Sequence, residues 1–325
     1  MRAAIYDHFG NPADVTQLRD VAQPDPGKGE VRIRTILSPI HNHDLWTTRG
    51  SYGYKPVLPA IGGTEAVGTI DAVGEGVDAA LVGKRVTAAG IHGTWAEFFI
   101  APANGVVPLP GAISDEAAAQ LIAMPFSAIS LLDFLTVTKG DWIVQTAANG
   151  AVGKVMAALA AERGIHLVNL VRRHEAVQAL ADLGMTNIVV TSDADWIDQV
   201  KAITGPDGAR AAVDSVGGAV GAGLVEVLGN EGELVVFGTA TGDPMPLNSG
   251  AIIFKHITIK GFWGAKVGAA MDNAKKGKLI GELVTLAAQG KLPLPVGGIF
   301  DLADAAKAMD AALVPGRAGK VLLRA

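Results

Sequence analysis

TAANGAVGKV, residues 146–155, is the stretch that decides how the chain folds. It stands between the apolar run WIVQTAA (142–148) and the small-residue helical pattern AVGKVMAALAAERG (151–164). Read as Ala147-x-x-Gly150-x-x-Gly153, it is a variant of the glycine turn that opens a dinucleotide-binding βαβ unit. Small residues let the backbone approach a pyrophosphate, and the first turn of the helix presents free N–H groups and a partial positive charge. Asn149 adds a side-chain amide donor. A plain strand-to-helix turn without a ligand has the same local form, and the following chain argues for the ligand.

That chain alternates. HLVNLV (166–171) reads as a strand, EAVQALADLG (175–184) as a helix, NIVV (187–190) as a strand and DWIDQVKAIT (195–204) as a helix. AAVDSVG (211–217), ELVVFG (233–238) and HITIKGFW (256–263) supply further strands. Apolar strands alternating with helices predict a parallel sheet covered on both faces. The strand at 166–171 runs into Arg172-Arg173. A site for an unphosphorylated ribose would place Asp or Glu there. Arginine suits the 2′-phosphate of NADPH, because a guanidinium matches phosphate bidentately. Two solvated surface arginines are the alternative reading.

The first third differs. VRIRTIL (31–37), AVGTIDAVG (66–74), KRVTAAG (84–90) and WAEFFIA (95–101) are short strands separated by Gly and Pro turns, which predicts a compact barrel-like β domain. The N-terminal MRAAIYDHFG reads as a strand entering a turn and not as a targeting segment. Ser114 reads as a helix N-cap with Asp115 and Glu116 in the first turn. The apolar stretch 117–132 is interrupted by Gln120 and Pro125, is too short to span a membrane, and reads as buried helix. After Trp263 come helical patterns near 270–289 and 302–313, then a strand, GKVLLRA, expected to return to the first domain.

The 325 residues predict two domains. With 49% hydrophobic and 18% charged residues the composition is that of a soluble globular protein. A net charge of −5 with no dense basic block argues against nucleic acid as a partner. There is no cysteine, so disulfides and thiolate metal sites are excluded. No membrane partner is expected, and a cytoplasmic location follows by default.

The segments RGSYGYKPVLPAIGGTEAVG (49–68), QTAANGAVGK (145–154), NLVRR (169–173), IIFKHITIKGFW (252–263) and AGKVLL (318–323) carry a resemblance that runs nearly end to end. The chain resembles the zinc-independent medium-chain dehydrogenases/reductases, closest to the trans-2-enoyl-thioester reductase and quinone oxidoreductase branches. The resemblance implies an α/β fold, with a Rossmann-type doubly wound parallel sheet over 119–265 and a β-rich GroES-like catalytic domain from 1–118 and 266–325. It implies an active site in a cleft and a homodimer joined through the edges of the nucleotide-domain sheets. The tyrosine of the family's G-x-Y-G segment falls on Tyr52, the expected catalytic residue. Cofactor contacts fall on Asn149, Gly150, Ala151, Val152 and Gly153, on Arg172, Arg173 and His174, on Phe237, Gly238, Thr239 and Ala240, on Phe262 and Trp263, and on Lys320. Locally, Phe262-Trp263 reads as sheet-edge core, and only the resemblance places the pair by the cofactor. His41 and Met124 stand where the family often has Asn, and Thr239-Ala240 follows Gly238 where it commonly has a second glycine.

Zinc-dependent relatives need cysteines and a Gly-His-Glu segment. Here that segment is Gly63-Thr64-Glu65, and no metal is expected. His41 and His43 read as polar residues lining a cleft, Asp44 and Glu65 as structural acids. Without a Lewis acid a conjugated carbonyl is the easier substrate, since hydride added at the β-carbon leaves charge on an enolate oxygen that hydrogen-bond donors can stabilise. The expected reaction is NADPH-dependent reduction of the C=C bond of an α,β-unsaturated carbonyl compound, a 2-enoyl thioester foremost, with Tyr52 donating to the enolate or the α-carbon. A quinone or alkenal/enone oxidoreductase and a non-catalytic NADPH-binding protein are the alternatives.

Overall fold

The computed structural model describes all 325 residues, which form two compact units, 1–124 with 282–325 and 125–281. In the second unit six strands make one all-parallel sheet. Their spatial order is Ile188–Val190, His166–Val171, Trp142–Gln145, Ala209–Asp214, Leu228–Val236 and Thr258–Gly261. The strand order reverses between Trp142–Gln145 and Ala209–Asp214, the crevice where open α/β sheets bind ligands at the carboxyl ends of their strands. The inner strands are apolar because both faces are covered. Val144, Val168, Leu170, Ala212 and Leu234 are fully buried with Leu224 and Val225 of helix Gly218–Val227.

In the first unit the ten-residue strand Glu30–Pro39 is the organiser. It alternates inward Val31, Ile33, Thr35 and Leu37 with less buried neighbours, at the period of two that a half-buried strand requires. It pairs antiparallel with Glu65–Val73, Phe98–Pro102 and the C-terminal Lys320–Arg324. The last strand therefore does return to the N-terminal part. It also pairs in parallel with Val296–Asp301. A smaller sheet joins Gln17–Asp20, Arg2–Tyr6 and Ala60–Ile61.

Two expectations are corrected. The stretch 117–132 is not one helix. Helix Asp115–Ala118, capped by Ser114 Oγ accepting from Ala117 N at 3.2 Å, ends, and a second helix spans Ala123–Phe134. Between them the Ile122 and Ala123 N–H groups turn to Glu65 Oε1, at 2.7 and 3.0 Å, and Pro125 has no N–H to extend the helix backwards. The chain division also differs from 118/119 and 265/266. Residues 266–281 pack with the parallel-sheet unit, where Lys275 pairs with Asp133 at 2.5 Å and Gly268 lies against the Phe126 ring. Helix Asn273–Ala288 lies where the helical pattern near 270–289 was expected, and a further short helix, Gly264–Ala270, precedes it. No helix is long and apolar enough to cross a membrane.

Candidate active site

In the unit 125–281 the glycine turn leads from Trp142–Gln145 into helix Ala151–Glu162. Ala147 takes a left-handed φ of 52°, and Gly150 is the helix N-cap with no side chain capping the first turn. The first N–H groups are thus open to an anion. Gly153 is required by packing. A Cβ there would lie 2.7 Å from Ala148 Cα and 2.9 Å from the Ala147 carbonyl oxygen, both backbone atoms that cannot yield cheaply. Beneath the turn, buried Gln145 donates from Nε2 to the Gly153 carbonyl at 2.9 Å and to Asn169 Oδ1 at 2.7 Å, and Asn169 donates to the Thr186 carbonyl. These two side chains tie the turn to the next strand.

The reversal point is fastened by buried Asp214. Its carboxylate accepts from Thr146 Oγ1 at 2.8 Å, Val216 N at 3.0 Å and Gly217 N at 2.8 Å. Thr146 Oγ1 in turn accepts from Ser215 N. The Phe237 and Gly238 N–H groups both donate to the Asp214 carbonyl, so Phe237–Ala240 lies beside this crevice. Arg172 and Arg173 are exposed at the end of His166–Val171 and pair with no acid. His174 Nε2 lies 2.9 Å from Asp193 Oδ1. Open helix N–H groups, a glycine that excludes any Cβ and two uncommitted guanidinium groups fit a phosphorylated dinucleotide. Phe262 is 4% exposed and packs against Phe134 and Phe237 at 5.2 and 5.8 Å between centroids, so its side chain is core. Trp263 beside it is 65% exposed.

In the other unit the polar centre is made of side chains from separate segments. Helix Asn42–Thr48 starts after His41, whose N–H donates to Asp44 Oδ2 at 2.9 Å. It ends with Gly50 at φ 74°, where Gly50 N donates to the Thr47 carbonyl and Ser51 N to the Trp46 carbonyl, the paired pattern of a glycine C-cap. Tyr52 N also donates to the Trp46 carbonyl. This cap sets Tyr52 beside the helix, with its ring 5.9 Å from the His43 ring and 6.4 Å from Trp46.

Below it, His41 Nε2 meets Glu65 Oε2 at 2.8 Å, both side chains fully buried. Burial pushes the Glu65 carboxyl up to about 7, against the backbone N–H groups of Ala123 and Ile122. Burial, then nearby Lys320, pushes the His41 imidazole well below its ordinary value. Both shifts favour uncharged forms, a neutral pair sharing one proton. His41 Nδ1 has no protein partner. Lys320 is buried beside this pair, and desolvation, then Arg317, brings its ammonium down to about 8. Thr64 Oγ1 donates to Asp44 Oδ1 at 2.7 Å and lies 2.7 Å from His43 Nε2.

Two family models match the chain, the alcohol dehydrogenase GroES-like domain over 27–111 and the zinc-binding dehydrogenase over 151–276. The mitochondrial enoyl-[acyl-carrier-protein] reductase of Caenorhabditis elegans is 32% identical, over 96% of this chain and 92% of that protein. The Xenopus tropicalis enzyme is 30% identical, over 99% and 95%. The chain belongs to the zinc-independent medium-chain dehydrogenases/reductases. Among solved structures, a putative NADPH:quinone reductase from Bacillus thuringiensis matches with a TM-score of 0.91 and 29% identity, covering 100% of this chain and 98% of that one. The Escherichia coli quinone oxidoreductase complexed with NADPH matches at 0.88 and 25%, covering all of both chains.

Within this medium-chain reductase the glycine turn and Phe237–Ala240 gather at the sheet's reversal point, and Arg172–His174 stands at the end of the neighbouring strand. Tyr52 and Lys320 belong to the other unit, Tyr52 against His43 and Lys320 near His41 and Glu65. Sequence reasoning missed Gln145, Asn169, Thr146 and Asp214 as fasteners of the nucleotide crevice, and the coupling of His43 to Thr64 and Asp44. The spacing His41-x-x-Asp44 was a readable signal for the cap. Nothing in the sequence signalled that Thr64 would meet His43.

Proposed function

We propose that this oxidoreductase reduces the C=C bond of an α,β-unsaturated carbonyl compound, most specifically a 2-enoyl thioester, with NADPH. The reading is carried by Tyr52, held by a glycine C-cap against a polar network, in a chain similar over nearly its whole length to enoyl reductases. The cofactor is NADPH. Its pyrophosphate is assigned to the N–H groups at Ala151–Gly153, with Gly150, Asn149 and the loop Phe237–Ala240 flanking, and its 2′-phosphate to Arg172 and Arg173. When bound, NADPH supplies a hydride to the β-carbon. Tyr52 then hydrogen-bonds the enolate oxygen or passes its proton to the α-carbon. Buried Lys320 is assigned to the cofactor side of the polar centre.

A second reading, a quinone or enone reductase using the same cofactor site, is supported by the quinone reductases among the similar solved structures. A homodimer is proposed through the free edge strand Thr258–Gly261, near which Ile253 and Phe254 are 64% and 85% exposed. NADPH absorbance loss with crotonyl-coenzyme A and a simple quinone in parallel, with NADH as control, tests the function. Turnover of the thioester with NADPH is expected. Turnover of the quinone alone would replace the enoyl reading with the second one, and no turnover of either would leave a binding protein.

A further inference from the structure

With Tyr52 passing its proton to the α-carbon, the second of the two roles given above, it gives up one proton in every turnover, and the next turnover needs it back. The side chain placed to restore it is His43, in the first turn of helix Asn42–Thr48. Its ring stacks on His41 at 5.0 Å between centroids and lies 5.9 Å from the Tyr52 ring. The hydrogen bonds around it leave little freedom. The Asp44 carboxylate only accepts, and Thr64 Oγ1 donates its single proton to Asp44 Oδ1 at 2.7 Å. Thr64 can therefore only accept from His43, at 2.7 Å, so the Nε2 of His43 carries hydrogen. Nδ1, on the other side of the ring, has no protein partner, and the side chain is 22% exposed.

An imidazole with Nε2–H fixed and Nδ1 open can change its protonation at one atom only. The groups facing it are Asp44 on its own helix, with Oδ1 at 3.4 Å from Nε2, His41 beside the cap, Tyr52 on the following loop, Glu65 on strand Glu65–Val73 and His92. The Thr64 bond holds the ring in place whether or not Nδ1 is protonated.

We propose that His43 is the proton partner of Tyr52, returning to it through Nδ1 the proton spent in each turnover. The inference rests on the Tyr52 reading. In the first step the Tyr52 O–H bond breaks and a C–H bond forms at the α-carbon, using the electron pair of the enolate, which leaves Tyr52 as phenolate. In the second the Nδ1–H bond of the His43 imidazolium breaks and the Tyr52 O–H bond reforms, directly or through one water. Neutral His43 then takes a proton from solvent. The sum is one hydride from NADPH and one proton from water added across the double bond. His43 touches no substrate atom and acts as a positioning and proton-returning residue.

Stopped-flow NADPH oxidation with crotonyl-coenzyme A tests this on wild type, His43→Gln, His43→Ala and Tyr52→Phe. A glutamine amide can still donate to Thr64 but cannot carry a proton. His43→Gln is expected to complete its first turnover at close to the wild-type rate, because Tyr52 starts protonated. Its steady state should then fall about 100-fold, the lower end of general acid–base effects, with KM unchanged. Added imidazole should restore the steady state of His43→Ala. Tyr52→Phe should slow the first turnover itself. A wild-type steady state in His43→Gln, or equal slowing of both phases without imidazole rescue, would overturn the proposal while leaving Tyr52 in place. Wild-type rates in Tyr52→Phe, or no thioester turnover by the wild type, would overturn the reading beneath it.

Discussion

In the unit 125–281 the surface offered to a ligand is largely backbone. The N–H groups of Ala151–Gly153, the turn around Gly217 and the loop at Phe237–Ala240 lie where strands end, and the side chains that matter, Gln145 and Asp214, hold backbone in place. In the unit of 1–124 and 282–325 the polar centre is side chain meeting side chain: His41 with Glu65, His43 with Thr64, Thr64 with Asp44, and Tyr52 against His43. A backbone site tolerates many side chains but no added Cβ at its close approaches. A side-chain site tolerates loss of a proton or a donor less than it tolerates a small change of shape. The first kind recognises a phosphate common to many substrates, and the second suits chemistry on one.

The sharpest way to break this contrast is Tyr52→Phe. It removes one oxygen and leaves the ring, so thermal stability and NADPH affinity should stay near wild type while kcat with the thioester falls about 100-fold or more. Steady-state kinetics with a fluorescence titration of NADPH reads both. A loss of NADPH affinity equal to the loss in kcat would assign Tyr52 to binding instead.

Gly153→Ala attacks the backbone site. Its Cβ meets backbone 2.7 Å away, and overpacking of this kind costs about 1–3 kcal/mol. The expected result is a lower Tm and NADPH affinity weakened roughly tenfold or more. An unchanged Kd would show that the helix N-terminus does not set the cofactor's position.

A more selective effect is expected from Arg172→Ala with Arg173→Ala. Charge-assisted hydrogen bonds contribute about 1.5–3 kcal/mol, so NADPH should weaken by about tenfold or more while NADH changes little. Equal weakening of both cofactors would move the arginines away from the 2′-phosphate.

The smallest effect concerns the buried pair. Folded Glu65 keeps its proton up to about pH 7, whereas the unfolded carboxyl releases it near 4.5. Folding takes up a proton between these values, so this group's contribution to stability falls as pH rises through that window. Lys320 runs the other way. Its ammonium is lowered to about 8 from 10.5, folding releases a proton in between, and stability rises with pH across that range. Thermal melts of Glu65→Gln against wild type from pH 4.5 to 7, and of Lys320→Met from 8 to 10.5, should each lose the corresponding slope. Parallel curves would show that these groups titrate as they do in the unfolded chain.

The alternating strands and helices after residue 140 were legible because each element carries its own period and its own stop signal, as when Gly164 and Gly205 follow helices with positive φ. The helix break at 119–122 was legible only in part. Pro125 is a local signal, but the other cause is a carboxylate from a strand more than fifty positions earlier in the chain, Glu65, taking the N–H groups of Ile122 and Ala123. Residues 266–281 were misallotted for the same reason. Their membership is set by partners such as Asp133, which no window around 270 contains.

The sequence by itself determined the glycine turn, the order of elements, the arginines at the end of the second strand and the absence of thiolate ligands, because these depend on spacing, sterics and residue type within short stretches. Only the tertiary structure decided that Phe262 is core while Trp263 is exposed, that Glu65 meets His41 in a fully buried pair, and that Thr64 fixes the ring of His43. Those outcomes depend on burial and on hydrogen-bond partners that meet only when distant segments pack together.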